Sequence, residues 1–194
     1  MRSDDDIIRS VIAGHTSDYE ILIERYSTRI FHFIRRLIGD SDDAENLAQD
    51  VFIRIYENLD KYRLDSNFQA FIFTVAKNLS LNWIKKRKRI IFFSQLGKTD
   101  FQRQEFASSA QPQSSEEAER NMRLDRALAT LGEEQRLALI LKVYLNFSYD
   151  QIAAVTGWSI AKIETLISRA KARLKKNIDL QENPERAVKL ARGK

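Results

Sequence analysis

The sequence of 194 residues contains no cysteine, two histidines, two prolines and six glycines. Without cysteine the chain can form no disulfide, thiol nucleophile or thiolate zinc site. His15 and His32 are too few for a histidine-rich metal site, and we interpret both as structural. The low glycine and proline counts argue against a loop-rich β-sandwich or barrel.

Long apolar runs are also missing from the sequence. No stretch reaches the roughly 18 apolar residues that a membrane span needs. The first residues, MRSDDD, do not lead from basic residues into an apolar stretch, so no signal peptide is expected. Hydrophobic residues make up 43% and charged residues 30%, which is enough apolar surface for a buried core. We therefore expect an all-α, soluble, cytoplasmic protein without membrane insertion.

Charge is distributed unevenly along the chain. The net charge is −6 over residues 1–60, +7 over 61–93, −2 over 94–118 and +6 over 119–194. Ordinary solubilising charge balances its sign locally more often than this. Two separate basic blocks therefore predict a polyanion that is bound at two places.

The segment 94–118 is rich in serine and glutamine, contains Pro112 and has no sustained apolar period. A stretch of that length is unusual inside one compact domain, so we interpret it as a flexible linker. The prediction is two small helical domains, residues 1–93 and 119–177, followed by a tail over 178–194.

Apolar residues at helical spacing predict four helices in the first domain. Two lie between residues 5 and 38 and are broken near Gly14. Asp42 followed by Glu45 resembles a capping box and predicts the start of the third helix. The fourth is predicted over residues 68–89. Its predicted buried side consists of Phe68, Phe71, Ile72, Val75, Leu79 and Trp83.

Four further helices are predicted in the second domain, over residues 120–131, 133–145, 148–156 and 159 to about 177. Ser148 and Gln151 form an S-x-x-Q capping box at the start of the third. Ser159 is a natural N-cap for the fourth.

Residues 149–168 are typical of a helix-turn-helix, in which two short helices meet through a tight turn. Ala153 allows close packing, Gly157 allows the turn, and Ile163 and Leu166 anchor the second helix. The alternative is a helical hairpin that serves packing only. Outward residues of a recognition helix bind base edges and phosphates. Here they are Ser159, Ala161, Lys162, Thr165, Arg169, Lys171 and Arg173.

The predicted helix over 68–89 presents a second candidate DNA-binding surface. Asparagine and threonine side chains can bind the bases of a separated strand, while consecutive cations bind phosphate. The alternative is a solvated amphipathic face with a basic end. The candidate residues are Thr74, Asn78, Asn82, Lys85, Lys86, Arg87, Lys88 and Arg89.

One face of the third predicted helix is negatively charged. It contains Glu45, Gln49, Asp50 and Glu57. Carboxylates repel phosphate, so this face fits a basic protein surface better than DNA. Acid–base catalysis or Mg²⁺ binding would need a converging pocket, and ordinary structural charge is the more frequent explanation. No glycine-rich phosphate loop, Ser/His/Asp order or metal-ligand spacing occurs, so we predict neither enzyme activity nor a cofactor.

Three segments resemble bacterial RNA polymerase sigma factors. Residues 43–62, DAENLAQDVFIRIYENLDKY, are similar to sigma region 2.2. Residues 67–89 resemble regions 2.3 and 2.4, and residues 131–176 resemble region 4. Two such regions with a short linker and no region 1 or 3 are similar to the extracytoplasmic-function (ECF) subfamily of the sigma-70 class.

The resemblance implies a sigma factor that directs promoter-specific transcription initiation by core RNA polymerase. It implies docking on the polymerase beta-prime coiled coil and the beta flap, and binding of an anti-sigma protein. Contacts with the coiled coil are implied for Glu45, Gln49, Asp50 and Arg54.

For promoter DNA, the resemblance implies that the loop 61–67, with Asn67, captures a flipped base of the minus-ten element. Asn78 matches the base-reading asparagine of the family, and residues 82–89 match the stretch that contacts the strand and backbone. Residues 159–169 would enter the major groove at the minus-thirty-five element.

The sequence departs from the family pattern in the recognition helix. Where the family often has a basic residue, serine and arginine, this chain has Ile163, Glu164, Thr165 and Leu166, and the carboxylate of Glu164 should weaken phosphate contact. Asn82 replaces a frequent aspartate, and Gly132 replaces a frequent proline. Two other function classes stay open from the residues alone. A stand-alone regulator would bind duplex DNA as a dimer, and a nucleic-acid enzyme would need clustered carboxylates with a metal.

Overall fold

A computed structural model describes residues 2–64, 66–96 and 115–182. Within these ranges all regular structure is helical, which confirms the all-α fold class. The α-helices are α1 (Asp4–Ile12), α2 (Tyr19–Ile38), α3 (Ser41–Tyr56), α4 (Phe68–Leu96), α5 (Ser115–Ala129), α6 (Glu133–Leu139), α7 (Tyr149–Thr156) and α8 (Ile160–Glu182).

Helical structure enters the predicted linker from both ends. α4 continues past Arg89 to Leu96, and α5 begins at Ser115 rather than near Arg120. The sequence at the start of α5 contains Glu116, Glu117 and Ala118, residue types that favour a helix. Residues 97–114 of the predicted linker and 183–194 of the predicted tail lie outside the described residues.

The chain divides into two compact units. Unit 1 contains α1 to α4 together with residues 154–157, and unit 2 contains α5, α6, α8 and the first part of α7. Each unit buries its own set of aliphatic and aromatic side chains.

α1 is tied to α2 by side chains near the start of the chain. Ser3 and Asp6 form a reciprocal capping box, and the turn after α1 places Gly14 at a φ of 105°, as the predicted break requires. The Tyr26 hydroxyl donates to Asp4 Oδ2 at 2.6 Å. Burial, more than this carboxylate, raises the pKa of Tyr26. α1 is therefore an integral part of unit 1.

The N-cap of α3 lies two residues earlier than the predicted capping box of Asp42 and Glu45 requires. Gly39 ends α2 with a φ of 79°, and Asp40 follows in an extended conformation. Asp40 Oδ1 accepts the backbone N–H of Asp43 at 3.1 Å, so Asp40 is the N-cap and the predicted capping box at Asp42 is wrong. The buried face of α3 consists of apolar residues at helical spacing: Ala44, Leu47, Ala48, Val51, Phe52 and Ile55.

α4 buries a line of residues that is rotated from the predicted one. Phe73 and Ser80 are fully buried, whereas the predicted core residues Leu79 and Trp83 are only half-buried. The reason is packing against α2, where Phe33 meets Phe73 edge to face at 5.4 Å between ring centroids. The Ser80 hydroxyl donates to the Ala76 carbonyl at 2.8 Å, so its burial leaves no unmet hydrogen bond.

In unit 2 a half-buried arginine closes the end of α5. Arg136 on α6 donates from Nε to the Leu128 carbonyl at 2.9 Å and from Nη2 to the Ala129 carbonyl at 3.2 Å. These are carbonyls that a helix end leaves without an intrahelical partner. Burial lowers the pKa of Arg136. The start of α6 is thus held against the end of α5.

The predicted helix 133–145 changes its winding at Ile140. Residues 140–144 form a π-helical turn, and the Leu145 N–H donates to the Ile140 carbonyl at 3.1 Å. Asn146 then adopts a φ of 55°, a conformation that asparagine tolerates. This wider turn brings Phe147 into the core of unit 2, where it is 2% exposed. Burial of one aromatic ring therefore outweighs continuation of the α-helix.

Candidate nucleic-acid interface

The outer face of α3 exposes the residues predicted to contact a basic protein surface. Glu45, Gln49, Asp50 and Arg54 are all exposed. Their spacing places them along one side of the helix, because α3 buries its other side in unit 1. They do not converge on a pocket, so the face is suited to docking and not to catalysis.

The same face contains two exposed apolar residues, Ile53 and Tyr56. Ile53 is 56% exposed and Tyr56 is 45% exposed. The Tyr56 ring lies edge to face on Tyr19, at 5.1 Å between centroids. The Tyr19 hydroxyl in turn donates to the Phe52 carbonyl at 2.7 Å. An apolar pair beside acidic groups is typical of a protein-binding surface. The signal in the sequence was the out-of-register apolar Ile53.

The chain between α3 and α4 is held by Tyr62, which is buried. Its hydroxyl lies 2.8 Å from the Ser66 carbonyl and 3.1 Å from Asp5 Oδ1. Burial raises the pKa of Tyr62, so the phenol stays protonated and keeps its hydrogen bond. The predicted base-capturing loop is therefore anchored to α1 by a side chain that the sequence analysis did not select.

Asn67, predicted to bind DNA, has a structural contact. Its Oδ1 accepts the Ala70 N–H at 3.0 Å, which caps the start of α4. The Thr74 hydroxyl donates to the Ala70 carbonyl at 2.7 Å and is half-buried. Asn78 and Asn82 are exposed one and two turns further on. Of this stripe, these two asparagines are the best placed to bind bases.

The basic end of α4 does not act as one uniform patch. Lys85, Lys86, Lys88 and Arg89 are exposed. Arg87 instead lies over the ring of Trp83, at 4.7 Å from its centroid. It also forms ion pairs with two carboxylates at the start of α3.

The structure confirms the local geometry of the predicted helix-turn-helix. Ser148 Oγ accepts the Gln151 N–H at 3.1 Å and Gln151 Oε1 accepts the Ser148 N–H at 2.8 Å, as a capping box requires. Gly157 has a φ of 75°, which favours glycine. Ser159 Oγ accepts the Lys162 N–H at 3.3 Å and so caps α8.

α8 separates its anchors from its outward face as predicted. Ile163, Leu166, Ile167 and Ala170 are buried in unit 2. The outward residues are all exposed: Ser159, Ala161, Lys162, Thr165, Arg169, Lys171 and Arg173. Glu164 lies on this exposed face as well, so its charge faces the same side as the cations.

Lys162 is already engaged within unit 2. Its Nζ lies 2.7 Å from Glu134 Oε1, in the first turn of α6, and 4.7 Å from the centroid of the Trp158 ring. The Thr165 hydroxyl donates to the Ala161 carbonyl at 2.9 Å. Arg169, Lys171 and Arg173 have no such contact with the described residues, which leaves them available for phosphate.

Among residues 2–64, 66–96 and 115–182, no cluster of three or more histidine, aspartate or glutamate side chains could hold a metal ion. No helix in the same ranges is long and apolar enough to cross a membrane.

Two family models match the chain. The sigma-70 region 2 model matches residues 22–90 and the sigma-70 region 4 model matches residues 121–174. The chain belongs to the sigma-70 family. These matches lie in α2 to α4 and in α5 to α8, the helices that carry the surfaces described above.

Sigma-70 relatives align over most of this chain. The RNA polymerase sigma factor YlaC of Bacillus subtilis is 27% identical over 176 residues, which cover 89% of this chain and 98% of the relative. The ECF RNA polymerase sigma factor EcfG of Rhodopseudomonas palustris is 30% identical over 143 residues, covering 73% of this chain and 75% of the relative. The resemblance to the ECF subfamily is thereby confirmed, and the chain is a factor for promoter-specific transcription initiation by RNA polymerase.

Two solved structures share the fold. CnrH in complex with the cytosolic domain of CnrY matches with a TM-score of 0.70 at 20% identity, over 91% of this chain and 97% of that one. The sigma factor RpoE of Bartonella quintana in complex with the anti-sigma factor NepR matches with a TM-score of 0.66 at 26% identity, over 84% and 98%.

Proposed function

We propose that this ECF sigma factor performs no covalent chemistry and acts by binding alone. It docks on core RNA polymerase through unit 1 and binds promoter DNA with both units. The observation that supports this most strongly is the occurrence, on one chain, of regions 2 and 4 with exposed DNA-binding and docking faces. Binding energy from the unpaired strand drives strand separation.

The outer face of α3 is the proposed docking site for the beta-prime coiled coil. Glu45, Gln49, Asp50 and Arg54 supply polar contacts, and Ile53 and Tyr56 supply apolar area beside them. Acidic groups attract a basic protein surface and repel the phosphates of DNA. The charge of this face therefore favours the polymerase over DNA as its partner. Unit 2 would contact the beta flap.

The outer side of α4 is the proposed minus-ten surface. Asn78 and Asn82 would contact bases, while Lys85, Lys86, Lys88 and Arg89 would contact the backbone. Asn67 and the loop 61–67 would receive a flipped base. The outward face of α8, from Ser159 to Arg173, would enter the major groove at the minus-thirty-five element.

The proposed functional division of the chain follows from these surfaces. Residues 1–93 form the minus-ten and polymerase-binding domain, and residues 119–177 form the minus-thirty-five domain. Residues 94–118 join them, and 178–194 form a tail. We further propose a cytoplasmic location, where RNA polymerase is found, and regulation by an anti-sigma protein. The latter is supported by the relative from Bartonella quintana, whose structure contains the anti-sigma factor NepR.

Run-off transcription with core RNA polymerase and a library of genomic fragments tests the function directly. We expect the reconstituted enzyme to start RNA synthesis at defined sites that core enzyme alone does not use. Fragments recovered in this way also provide the promoter for the experiments below. Failure to start at a defined site on any fragment would contradict the proposal.

Asp50→Arg tests the docking face. Reversing an exposed charge at a complementary interface costs several-fold to many-fold in affinity, so we expect co-elution with core polymerase to be lost. Glu20→Arg, an equally exposed reversal on α2, is the matched control and should co-elute normally. If Asp50→Arg still co-elutes with a normal circular dichroism spectrum, α3 is not the docking face.

A further inference from the structure

Arg87 is one of five consecutive basic residues, yet its surroundings differ from those of its neighbours. Its Nη1 lies 3.3 Å from Asp40 Oδ2 and 3.4 Å from Asp43 Oδ2. Its guanidinium also lies over the Trp83 ring, at 4.7 Å from the centroid. No partner is present for Lys85 or Lys86 among the described residues. Arg87 is therefore committed to contacts within the protein itself.

The direction of Arg87 follows from its place on the helix. An α-helix turns about 100° per residue, so Arg87 is about 200° from Lys85 and projects from the opposite side of α4. Asn78, Asn82 and Arg89 fall within about 60° of Lys85 on the same projection. The proposed DNA-binding stripe and Arg87 thus point to opposite sides.

The partners of Arg87 belong to a fixed structural element. Asp40 uses one carboxylate oxygen to cap α3 and the other to bind Arg87. A phosphate placed at Arg87 would meet the charges of Asp40 and Asp43, with Asp42 exposed beside them. Like charges at such distances repel, so this position disfavours DNA.

We infer that Arg87 is a positioning residue and not a DNA contact: it holds the basic end of α4 against the start of α3. The inference rests on the proposed function of α4 as the minus-ten surface. It replaces the prediction that Arg87 binds phosphate, which followed from the basic run and from the match of residues 82–89 to the family. Arg87 then acts on promoter binding through the placement of Lys85, Lys86 and Arg89.

Asp43→Asn distinguishes the two roles because it leaves the charge of Arg87 intact. If Arg87 is a positioning residue, or brace, that holds α4 against α3, Asp43→Asn and Arg87→Ala should each weaken binding of the holoenzyme to a recovered promoter fragment. The expected loss of affinity is about fivefold, which corresponds to the free energy of one such ion pair. Asp42→Asn removes an exposed carboxylate from the same helical turn and should change affinity less than twofold. If Arg87 binds phosphate, releasing it with Asp43→Asn should leave affinity unchanged or raise it.

The salt dependence of promoter binding provides a readout that does not depend on stability. Each lost phosphate contact makes the slope of log K against log salt shallower by about 0.7 to 0.9. Lys85→Ala with Lys86→Ala should therefore make the slope shallower by about 1.4 to 1.8, while Arg87→Ala and Asp43→Asn leave it unchanged. A slope that falls by a full contact in Arg87→Ala overturns the inference.

A charge exchange completes the test. Arg87→Glu combined with Asp43→Lys restores an opposite-charge pair and should recover part of the affinity that Arg87→Glu loses. Co-elution of each variant with core polymerase shows that its defect lies in the DNA step. No recovery in the exchange variant, with normal co-elution, would contradict the brace. A wild-type holoenzyme that selects no promoter would instead overturn the proposed function.

Discussion

Arg87 in unit 1 and Lys162 in unit 2 occupy similar surroundings with different consequences. Each residue follows a tryptophan by four positions, and its charged group lies 4.7 Å from the centroid of that tryptophan ring. Each also forms an ion pair with a carboxylate at the start of a neighbouring helix. Arg87 has two carboxylate partners, one of them an N-cap. Among the described residues Lys162 has one carboxylate partner, Glu134. The side chains of that pair are 42% and 53% exposed, against 39% for Arg87 and 32% and 41% for Asp40 and Asp43, so the number of carboxylate partners distinguishes the two cations more than exposure does.

The difference concerns how firmly each cation is held. A planar guanidinium between two carboxylates loses several contacts at once if it turns toward DNA. An exposed lysine–glutamate pair contributes little free energy, so its ammonium can exchange one anion for another. We therefore expect Lys162 to remain available for DNA and Arg87 not to. Substitutions of Arg136 and Asp40 test the residues that hold the carboxylate partners in place, and Glu134→Gln then tests the exposed ion pair directly.

The largest expected effect concerns Arg136, which holds the start of α6, where Glu134 lies, against the end of α5. Arg136→Ala removes the hydrogen bonds that hold α6 to the end of α5 and leaves the Leu128 and Ala129 carbonyls without their side-chain donor. We expect the free energy of unfolding of unit 2 to fall by about 2 to 3 kcal/mol. Urea unfolding followed by Trp158 fluorescence in a Trp83→Phe background measures it. Arg126→Ala, at an exposed position of α5, is the control and should change stability by less than about 0.5 kcal/mol.

The support of Arg87 in unit 1 is the N-cap of α3. Asp40→Ala removes both the cap and one carboxylate partner, so the free energy of unfolding of unit 1 should fall by about 1 to 2 kcal/mol. Trp83 fluorescence in a Trp158→Phe background reports this unit. Asp42→Ala, at the position that the sequence suggested as the cap, should cost less than about 0.5 kcal/mol. Equal effects of the two substitutions would refute Asp40 as the N-cap.

Alkaline pH should lower the free energy of unfolding of unit 1 more than that of unit 2. Burial raises the pKa of Tyr19 and of Tyr26 above the ordinary value of 10.0. Because the unfolded chain releases these protons first, the stabilisation is complete below pH 10 and is lost as pH rises above it. At pH 11 we expect unit 1 to lose about 1 kcal/mol, after allowance for partial solvent screening.

The measurement is urea unfolding at pH 9 and pH 11, with Trp83 and Trp158 followed separately in the two single-tryptophan backgrounds. Tyr19→Phe with Tyr26→Phe is the control, and it should reduce the additional loss of stability in unit 1. If that double variant keeps the full pH dependence of the parent, the two phenols are not its source.

The smallest expected effect tests the exposed pair directly. Glu134→Gln frees Lys162, so holoenzyme affinity for a promoter fragment should stay constant or rise up to about twofold. The corresponding loss in Asp43→Asn is about fivefold, as argued above for Arg87. A fivefold loss in Glu134→Gln as well would show that both cations are braces and remove the distinction.

Much of the fold could be predicted from local sequence signals. The capping box at Ser148, the turn at Gly157 and the N-cap at Ser159 all occur as predicted, because each depends on side chains within three residues of the backbone groups they bind. The outward face of α8 also follows from helical spacing alone. These features need no knowledge of a distant segment.

Other features depended on contacts between segments far apart in sequence. The π-helical turn at 140–144 serves the burial of Phe147, and the rotation of the buried face of α4 serves the contact of Phe73 with Phe33. The N-cap of α3 depends on where Gly39 ends α2. In each case local propensity alone allowed a second arrangement, and packing between distant segments decided which one forms.

By itself, the sequence determined two helical units of the sigma-70 family, with basic stripes on α4 and α8 and an acidic face on α3. Helical periodicity and charge are properties of near neighbours, so they can be read along the chain. Only the tertiary structure decided which cations of those stripes are free. Arg87 and Asp43 are 44 residues apart, and their pairing exists only once α3 and α4 are packed together.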